Sequence, residues 1–200
     1  LYDTLIDLEP FYWRRFPPIM VSGIAPQGAT YKALKKYFSK GFTFHRYMSG
    51  AQCGASLDGG VDGYYSRRSA NHRKKTRRQM RRAHEAGVEF ERHIPRTEAE
   101  ADAIYSRMLA VELASWKGID ECGMTEPISK VFYDAMLKRL VRTGDARIIV
   151  AMHDGRDIGF IFGSMAGKIY RGQQFSFDDK WAHASIGNVL QAEQIRWLCE

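Results

Sequence analysis

Arg147-Ile-Ile-Val-Ala-Met152, then Asp154-Gly155, then Ile158-Gly-Phe-Ile-Phe162 is the stretch on which the reading of the fold turns. Both runs are apolar and rich in β-branched or aromatic residues. An Asp-Gly pair between them supplies the positive φ angles that a two-residue hairpin turn demands. A second turn is expected at Ala166-Gly-Lys168, so that a third strand runs from Ile169 to Phe177. The chain then crosses an irregular loop from Asp178 to Gly187, after which Val189, Ala192, Ile195, Trp197 and Leu198 fall close to one helical face. A strand that empties through small residues into a helix leaves N–H groups pointing outward, and these groups with the helix dipole suit a phosphate. An ordinary strand-to-helix corner has the same pattern, so both readings stay open at this point.

Upstream of this core, Thr125-Glu-Pro127 opens a helix whose buried side is expected to be Ile128, Val131, Phe132, Ala135, Met136 and Leu140, with Gly144 past its end. Before that, Thr97-Glu-Ala-Glu100 is a capping box that starts a helix with the apolar stripe Ile104, Met108 and Val111. Glu112 sits at the edge of this stripe, one turn before Trp116. A carboxylate wedged among Leu, Met and Trp side chains is stripped of water, the setting a general base needs; an exposed Glu paired with Lys117 is the alternative.

Charge is concentrated in one place. Of the 30 Lys and Arg, nine (Arg67, Arg68, Arg73, Lys74, Lys75, Arg77, Arg78, Arg81 and Arg82) lie in one short segment that no acid interrupts, and the other 21 face 23 acids. The net charge of +7 therefore belongs to that segment. Placed on a single helix from Tyr65 to Ala83, the segment has Tyr65, Ser69, His72, Thr76, Met80 and Ala83 on one narrow stripe, with every cation outside it. A solvated face is the plain reading of such a run. Nine like charges repel, however, and the arrangement gains if an anion binds: CoA phosphates, an acidic glycan, tRNA or membrane lipid.

The N-terminal part reads as a helix to Phe16, a short strand at Ile19-Met-Val21, a helix from Ala29 to Ser39, a strand from Phe42 to Met48, and a Gly-rich linker from Gly50 to Gly63. No run approaches the ~20 apolar residues a membrane helix needs. Cys53, Cys122 and Cys199 are widely spaced, which favours reduced thiols and a cytoplasmic protein. The six His residues show no ligand spacing and no metal is expected. No G-x-S-x-G, Walker A or dinucleotide fingerprint is present. The oligomeric state is left open.

Three segments, Glu112-Leu-Ala-Ser-Trp-Lys-Gly118, the basic run from Ser66 to Gly87, and Phe177 to Leu190, resemble the GNAT acyltransferases, and within them the CelD-type and Fem-type branch. The resemblance implies an α/β fold with a mixed, mostly antiparallel sheet flanked by helices. It also implies residues 1–60 as the end of a first GNAT-like half with linker, and 61–200 as an acyltransferase domain. It implies direct attack of an amine on a bound acetyl-CoA or other acyl-CoA. Phe175, Ser176 and Phe177 would then lie along the pantetheine, and Trp181, Ala184, Ser185, Ile186, Gly187 and Asn188 would meet the pyrophosphate. Glu112, Asp178 and Gln174 are the implied catalytic residues; Trp116, Lys117 and Tyr170 would contact the acceptor. The acceptor is expected to be a small-molecule or glycan amine, in polysaccharide or cell-envelope biosynthesis. The usual pyrophosphate signature, Gln/Arg-x-x-Gly-x-Gly/Ala, is replaced by Ala182-His-Ala-Ser-Ile-Gly187, in which only the last glycine matches. Three functions follow: an acyl-CoA-dependent N-acyltransferase, an aminoacyl-tRNA-dependent transferase of Fem type, and a non-catalytic nucleic-acid-binding protein that uses the basic run. The basic run exposes few aromatics for base stacking, which counts against the third.

Overall fold

The computed structural model describes Val21 and residues 23–45 and 53–200. The chain divides into two units, Leu1–Cys53 and Gly54–Glu200. In the first, α1 (Ala29–Phe38) forms as expected and ends against the ring of Phe42, 5.6 Å from Phe38. Phe42 to His45 are not extended into a strand. The helix expected before Phe16 and the remainder of the strands expected at Ile19–Val21 and Phe42–Met48 lie outside the described residues, Val21 apart.

The second unit runs α2 (Gly60–Ser66), α3 (Ala70–Glu85), β1 (Glu89–His93), α4 (Glu98–Ala114), a single turn α5 (Trp116–Ile119), α6 (Pro127–Thr143), β2 (Ala146–His153), β3 (Arg156–Ala166), β4 (Ile169–Phe177) and α7 (Ile186–Leu198). The strands form one antiparallel sheet in the order β1-β2-β3-β4. The β2–β3 hairpin closes at Asp154 and Gly155, both at positive φ (49° and 71°), as an Asp-Gly turn should. This is the α/β architecture expected.

Both faces of the sheet are covered, which is why β2 and β3 read as continuous apolar runs rather than alternating ones. Ile148, Val150, Phe160 and Phe162 pack with Ile104, Met108 and Val111 of α4 and Leu137 of α6. Ile149, Ala151 and Ile161 point the other way and pack with Ala83 of α3 and Ile186, Val189 and Leu190 of α7. Arg92 of β1 ties down the end of α7. It donates to Glu193 Oε1 at 2.7 Å and to the Glu200 carboxylate, and its guanidinium and that of Arg147 both lie against Trp197.

Two expectations need correction. The basic run is not one helix: it breaks at Arg67–Ser69 because Ser69 caps α3, its hydroxyl accepting from His72 N at 3.2 Å. The packed face of α3 also differs, with Ser69 and His72 exposed and Gln79 buried beside Ala83. The buried side of α6 is rotated from the expected one. Ile128, Val131, Phe132 and Ala135 face outward, while Leu137 and Val141 are buried and Tyr133, Met136 and Leu140 pack beside them. The helix carries two apolar stripes, and the sheet takes the one nearer its C-terminus.

On the α4 face, Arg107 bridges three strands, donating to Asp157 of β3 at 2.7 and 2.8 Å, to Glu91 of β1 at 2.8 Å and to Met152 Sδ of β2 at 3.5 Å. The Arg107 hydrogen bond holds the Glu91 carboxyl below its usual value of 4.5. A lowered folded-state value means that the contribution is complete above the ordinary range and is lost as pH falls through the folded value. Glu91→Gln is therefore expected to lower stability at pH 7 and to flatten the loss of stability below pH 4.5, as measured by denaturant titration at a series of pH values.

Candidate functional site

The capped start of α4 delivers Glu112 to the underside of a turn. Thr97 accepts from Glu100 N, while the Glu100 carboxylate reaches back to Arg96 N at 2.7 Å, one residue before the cap. Three turns on, Glu112 is 0% exposed, sealed beneath Gly123 and Met124 rather than beside Trp116, which is 52% exposed. Glu112 Oε1 accepts from Met124 N at 2.9 Å, and Oε2 is buried with no hydrogen-bond partner. Gly123 sits at φ 87°, and a Cβ there would run into Glu112 Oε1, so glycine is the residue that lets the turn close over the carboxylate.

Lys117 completes the arrangement. Gly118 allows α5 to fold directly onto the end of α4, since a Cβ at Gly118 would lie 2.5 Å from the carbonyl oxygens of Glu112 and Leu113. This places Lys117 Nζ 3.9 Å from Glu112 Oε1, where it donates to Gln174 Oε1 at 3.0 Å and to the Phe175 carbonyl at 2.9 Å. Gln174 Nε2 in turn donates to Tyr133 Oη at 2.6 Å. The structure thus brings together three of the expected residues, Glu112, Lys117 and Gln174. Tyr133 was missed because it lies in an apolar helix read wholly as core, and Gly123 because nothing in its neighbours marks a closing turn. The register of β3 and β4 shifts here, Gly163 opposing Gly172 and Phe162 opposing Gln174, so Gln173 is the extra residue of a bulge.

Other expected residues stand elsewhere. Asp178 follows Gln174 by four residues of extended chain, roughly 13 Å, so the two do not share a reacting centre. Its carboxylate accepts from Lys180 N at 2.9 Å and opens the turn Asp179–Ala184. Tyr170 packs over Gly163, and its hydroxyl is buried without a partner, which pushes its pKa upward through desolvation. Trp181 packs on His153, with ring centroids 4.7 Å apart. Ile186 is fully buried in the core, and the Ser176 hydroxyl donates to the Phe175 carbonyl at 2.8 Å.

The start of α7 keeps the features of an anion site. Ser185 has φ 58° and makes no side-chain cap, and its carbonyl accepts from both Asn188 N and Val189 N. Among the described residues the N–H groups of Ile186 and Gly187 have no acceptor. Gly187 is not open space, however. A Cβ there would meet the rings of Phe175 at 3.1 Å and Phe177 at 3.3 Å, so the glycine admits two β4 aromatics rather than leaving room for phosphates. Left-handed backbone at a serine with an unused hydroxyl is strain retained without a structural return. Ser185→Gly is expected to raise stability by about 0.5–1 kcal/mol while weakening anion binding, opposite signs that thermal unfolding and ligand titration would read separately.

Outward from α3, the cations have few partners. Arg81 pairs with Glu85 at 3.5 Å, Arg73 donates to the Arg68 carbonyl, and Arg68 lies over the Tyr64 ring. Lys74, Lys75, Arg77, Arg78 and Arg82 have no ion pair among the described residues. No group of described residues could hold a metal ion, and no described helix is long and apolar enough to cross a membrane.

Comparison with known proteins adds two findings. The model of the acetyltransferase (GNAT) domain family matches residues 70–200. A solved structure, PaiA N-acetyltransferase from Thermoplasma acidophilum in complex with coenzyme A, is similar at 15% identity over 55% of this chain and 72% of that one, with a TM-score of 0.33. No curated protein matches.

Proposed function

We propose, from the premise that this chain belongs to the GNAT acetyltransferase domain family, that it transfers an acyl group from a CoA thioester to an amine. The observation that carries this reading is the β4–α7 junction: an edge strand with a bulge at Gln173 runs into a helix whose first N–H groups have no protein acceptor. The donor pyrophosphate meets the N–H groups of Ile186 and Gly187, the Ser185 hydroxyl and the Asn188 side chain. Its pantetheine follows Phe175 to Phe177 along β4.

In the reaction the amine nitrogen bonds to the thioester carbonyl carbon and the C–S bond breaks. The leaving thiolate takes up one proton for the one the amine gives up. The bulge takes Gln173 out of the ladder, so its backbone N–H can donate to the oxyanion that develops. Lys117 fixes the neighbouring Gln174 side chain and Phe175 carbonyl, and Glu112 fixes Lys117. Sealed from solvent, Glu112 is a positioning residue rather than a base touching the amine. Trp116, half exposed beside Lys117, offers the acceptor an aromatic surface. The wider reading places the chain in the CelD-type and Fem-type branch. It makes residues 1–60 the end of a first GNAT-like half, and the setting cytoplasmic, with a glycan or other cell-envelope amine as acceptor.

A second reading rests on a separate observation, the unpaired cations of α3, which suit an acidic acceptor or an aminoacyl-tRNA donor. Calorimetric titration with acetyl-CoA and longer acyl-CoAs, followed by mass spectrometry of amine mixtures, decides between them. Binding of a CoA ester and an amide product are expected. No CoA binding, together with steeply salt-dependent tRNA binding, would replace the first reading by the second.

A further inference from the structure

We infer that the outer face of α6 is a docking surface for a second copy of this chain, the two helices packing antiparallel about a two-fold axis. The helix has two apolar stripes, and the sheet takes only one of them. On the other, Ile128, Val131 and Phe132 are 85%, 70% and 57% exposed, with Ala135 on the same side. Three large apolar side chains bared side by side form a patch, unlike the scattered exposure that any surface has. Ile128, Val131, Ala135, Lys138 and Arg142 recur at intervals of three and four residues, the rhythm of a helix–helix seam. Ala135, at its middle, is small enough to let two helices approach.

Charge identifies the partner. The turn that enters the helix carries Glu121 and Glu126, and the last turns carry Arg139 and Arg142. All four are exposed, and none has an ion pair among the described residues. Lys138, by contrast, is held by Asp102 and Asp134 at 2.9 and 3.1 Å. A face acidic at one end, apolar in the middle and basic at the other is complementary to itself turned end for end, which is what a two-fold axis does. The apolar stripes then bury each other, and each copy's arginines come against the other's glutamates. An anionic membrane would attract the arginines but repel the acids on the same face. The face also adjoins the candidate site. Phe132 lies edge-on to Tyr133, with ring centroids 5.2 Å apart, and Tyr133 Oη accepts from Gln174. A copy seated on Phe132 therefore steadies Tyr133, and through it the Gln174 side chain.

The test is sedimentation equilibrium of the full chain over about 1 to 100 μM, the range in which a modest interface associates. The mass is expected to rise toward that of two chains, and to stay at one chain in Phe132→Glu. At the lowest concentration, where both proteins are single chains, this variant should unfold at the same denaturant concentration as the native protein, because Phe132 faces outward. Arg139→Glu should weaken association about tenfold or more, and so should Glu126→Arg. The two reversals in one chain should restore most of it, since each new arginine then meets the other copy's new glutamate. Lys168→Glu makes the same charge change at the exposed β3–β4 turn and should leave association as it is. A single-chain mass at every concentration would overturn the proposal, as would a dimer that Phe132→Glu leaves intact. A double reversal that restores nothing would overturn the antiparallel two-fold arrangement. Earlier unfolding of Phe132→Glu at the lowest concentration would mean that the face is covered within one chain. Single chains that sediment with phosphatidylglycerol vesicles, and cease to with Phe132→Glu, would assign the face to a membrane instead.

Discussion

Lys117→Met is expected to destabilise the protein by about 3–5 kcal/mol, and adding Glu112→Gln to it is expected to return part of that loss. The reason lies in what each change leaves behind. Without the ammonium 3.9 Å away, the Glu112 carboxylate stays wholly buried with a single hydrogen bond, from Met124 N. A buried charge that has lost its partner bears most of the desolvation cost, whereas a neutral amide of the same shape still accepts from Met124 N and bears much less. Glu112→Gln alone should cost less than Lys117→Met, because Lys117 keeps its bonds to Gln174 and the Phe175 carbonyl. Denaturant unfolding of the four proteins gives the coupling directly, and a value between about 0.5 and 3 kcal/mol is expected. Strict additivity would show that the pair is adjacent but not coupled. Kinetics give the second readout. If the pair sets the shape of β4 at the bulge, Lys117→Met should lower kcat more than it raises KM, and Lys117→Arg should restore some of it. A variant with normal kcat would leave Lys117 only a role in folding.

The parts of the fold that were legible in the sequence share one property: short-range chemistry determines them. Asp154-Gly155 forces a hairpin because few other pairs take two successive positive φ angles, and β4 ends where Asp178 turns the chain. Thr97 and Glu100 mark a helix start by their own hydrogen bonds. The misreadings came where two local signals competed. Ser69 looked like a small residue on a continuous stripe, yet a serine that can cap a following helix does so. On α6 the apolar residues Ile128, Val131 and Phe132 and the pair Leu137 and Val141 form different stripes. Only the position of the sheet decides which is buried.

The site divides in the same way. Glu112 and Lys117 could be found because a carboxylate on an apolar stripe and a lysine one turn later are visible as a pattern. Their junction with Gln174 could not, since it depends on a strand that lies 57 residues on. Asp178 looked acidic and well placed in sequence, but extended chain carries it well away from Gln174.

Gly187→Leu is expected to cost about 1–3 kcal/mol and to reduce donor affinity by more than tenfold, whereas Gly187→Ala should cost under about 1 kcal/mol. A single Cβ meets Phe175 Cε2 at 3.1 Å and Phe177 Cε1 at 3.3 Å, close enough that each ring must yield by a few tenths of an ångström. Phe175 can yield, being 41% exposed, but Phe177 is held against the core formed by Ile158, Ile161 and Leu190. A branched side chain therefore forces β4 and the start of α7 apart, and with them the Phe175 carbonyl on Lys117 and the free N–H groups of Ile186 and Gly187. Adding Phe175→Ala makes room on the side that can move. It should recover much of the lost stability in denaturant unfolding while donor affinity, read by calorimetry, stays low. Stability and affinity recovering together would mean that the Phe175 ring and the altered junction contribute nothing to the donor. In that case the pyrophosphate would have to be held somewhere other than the start of α7.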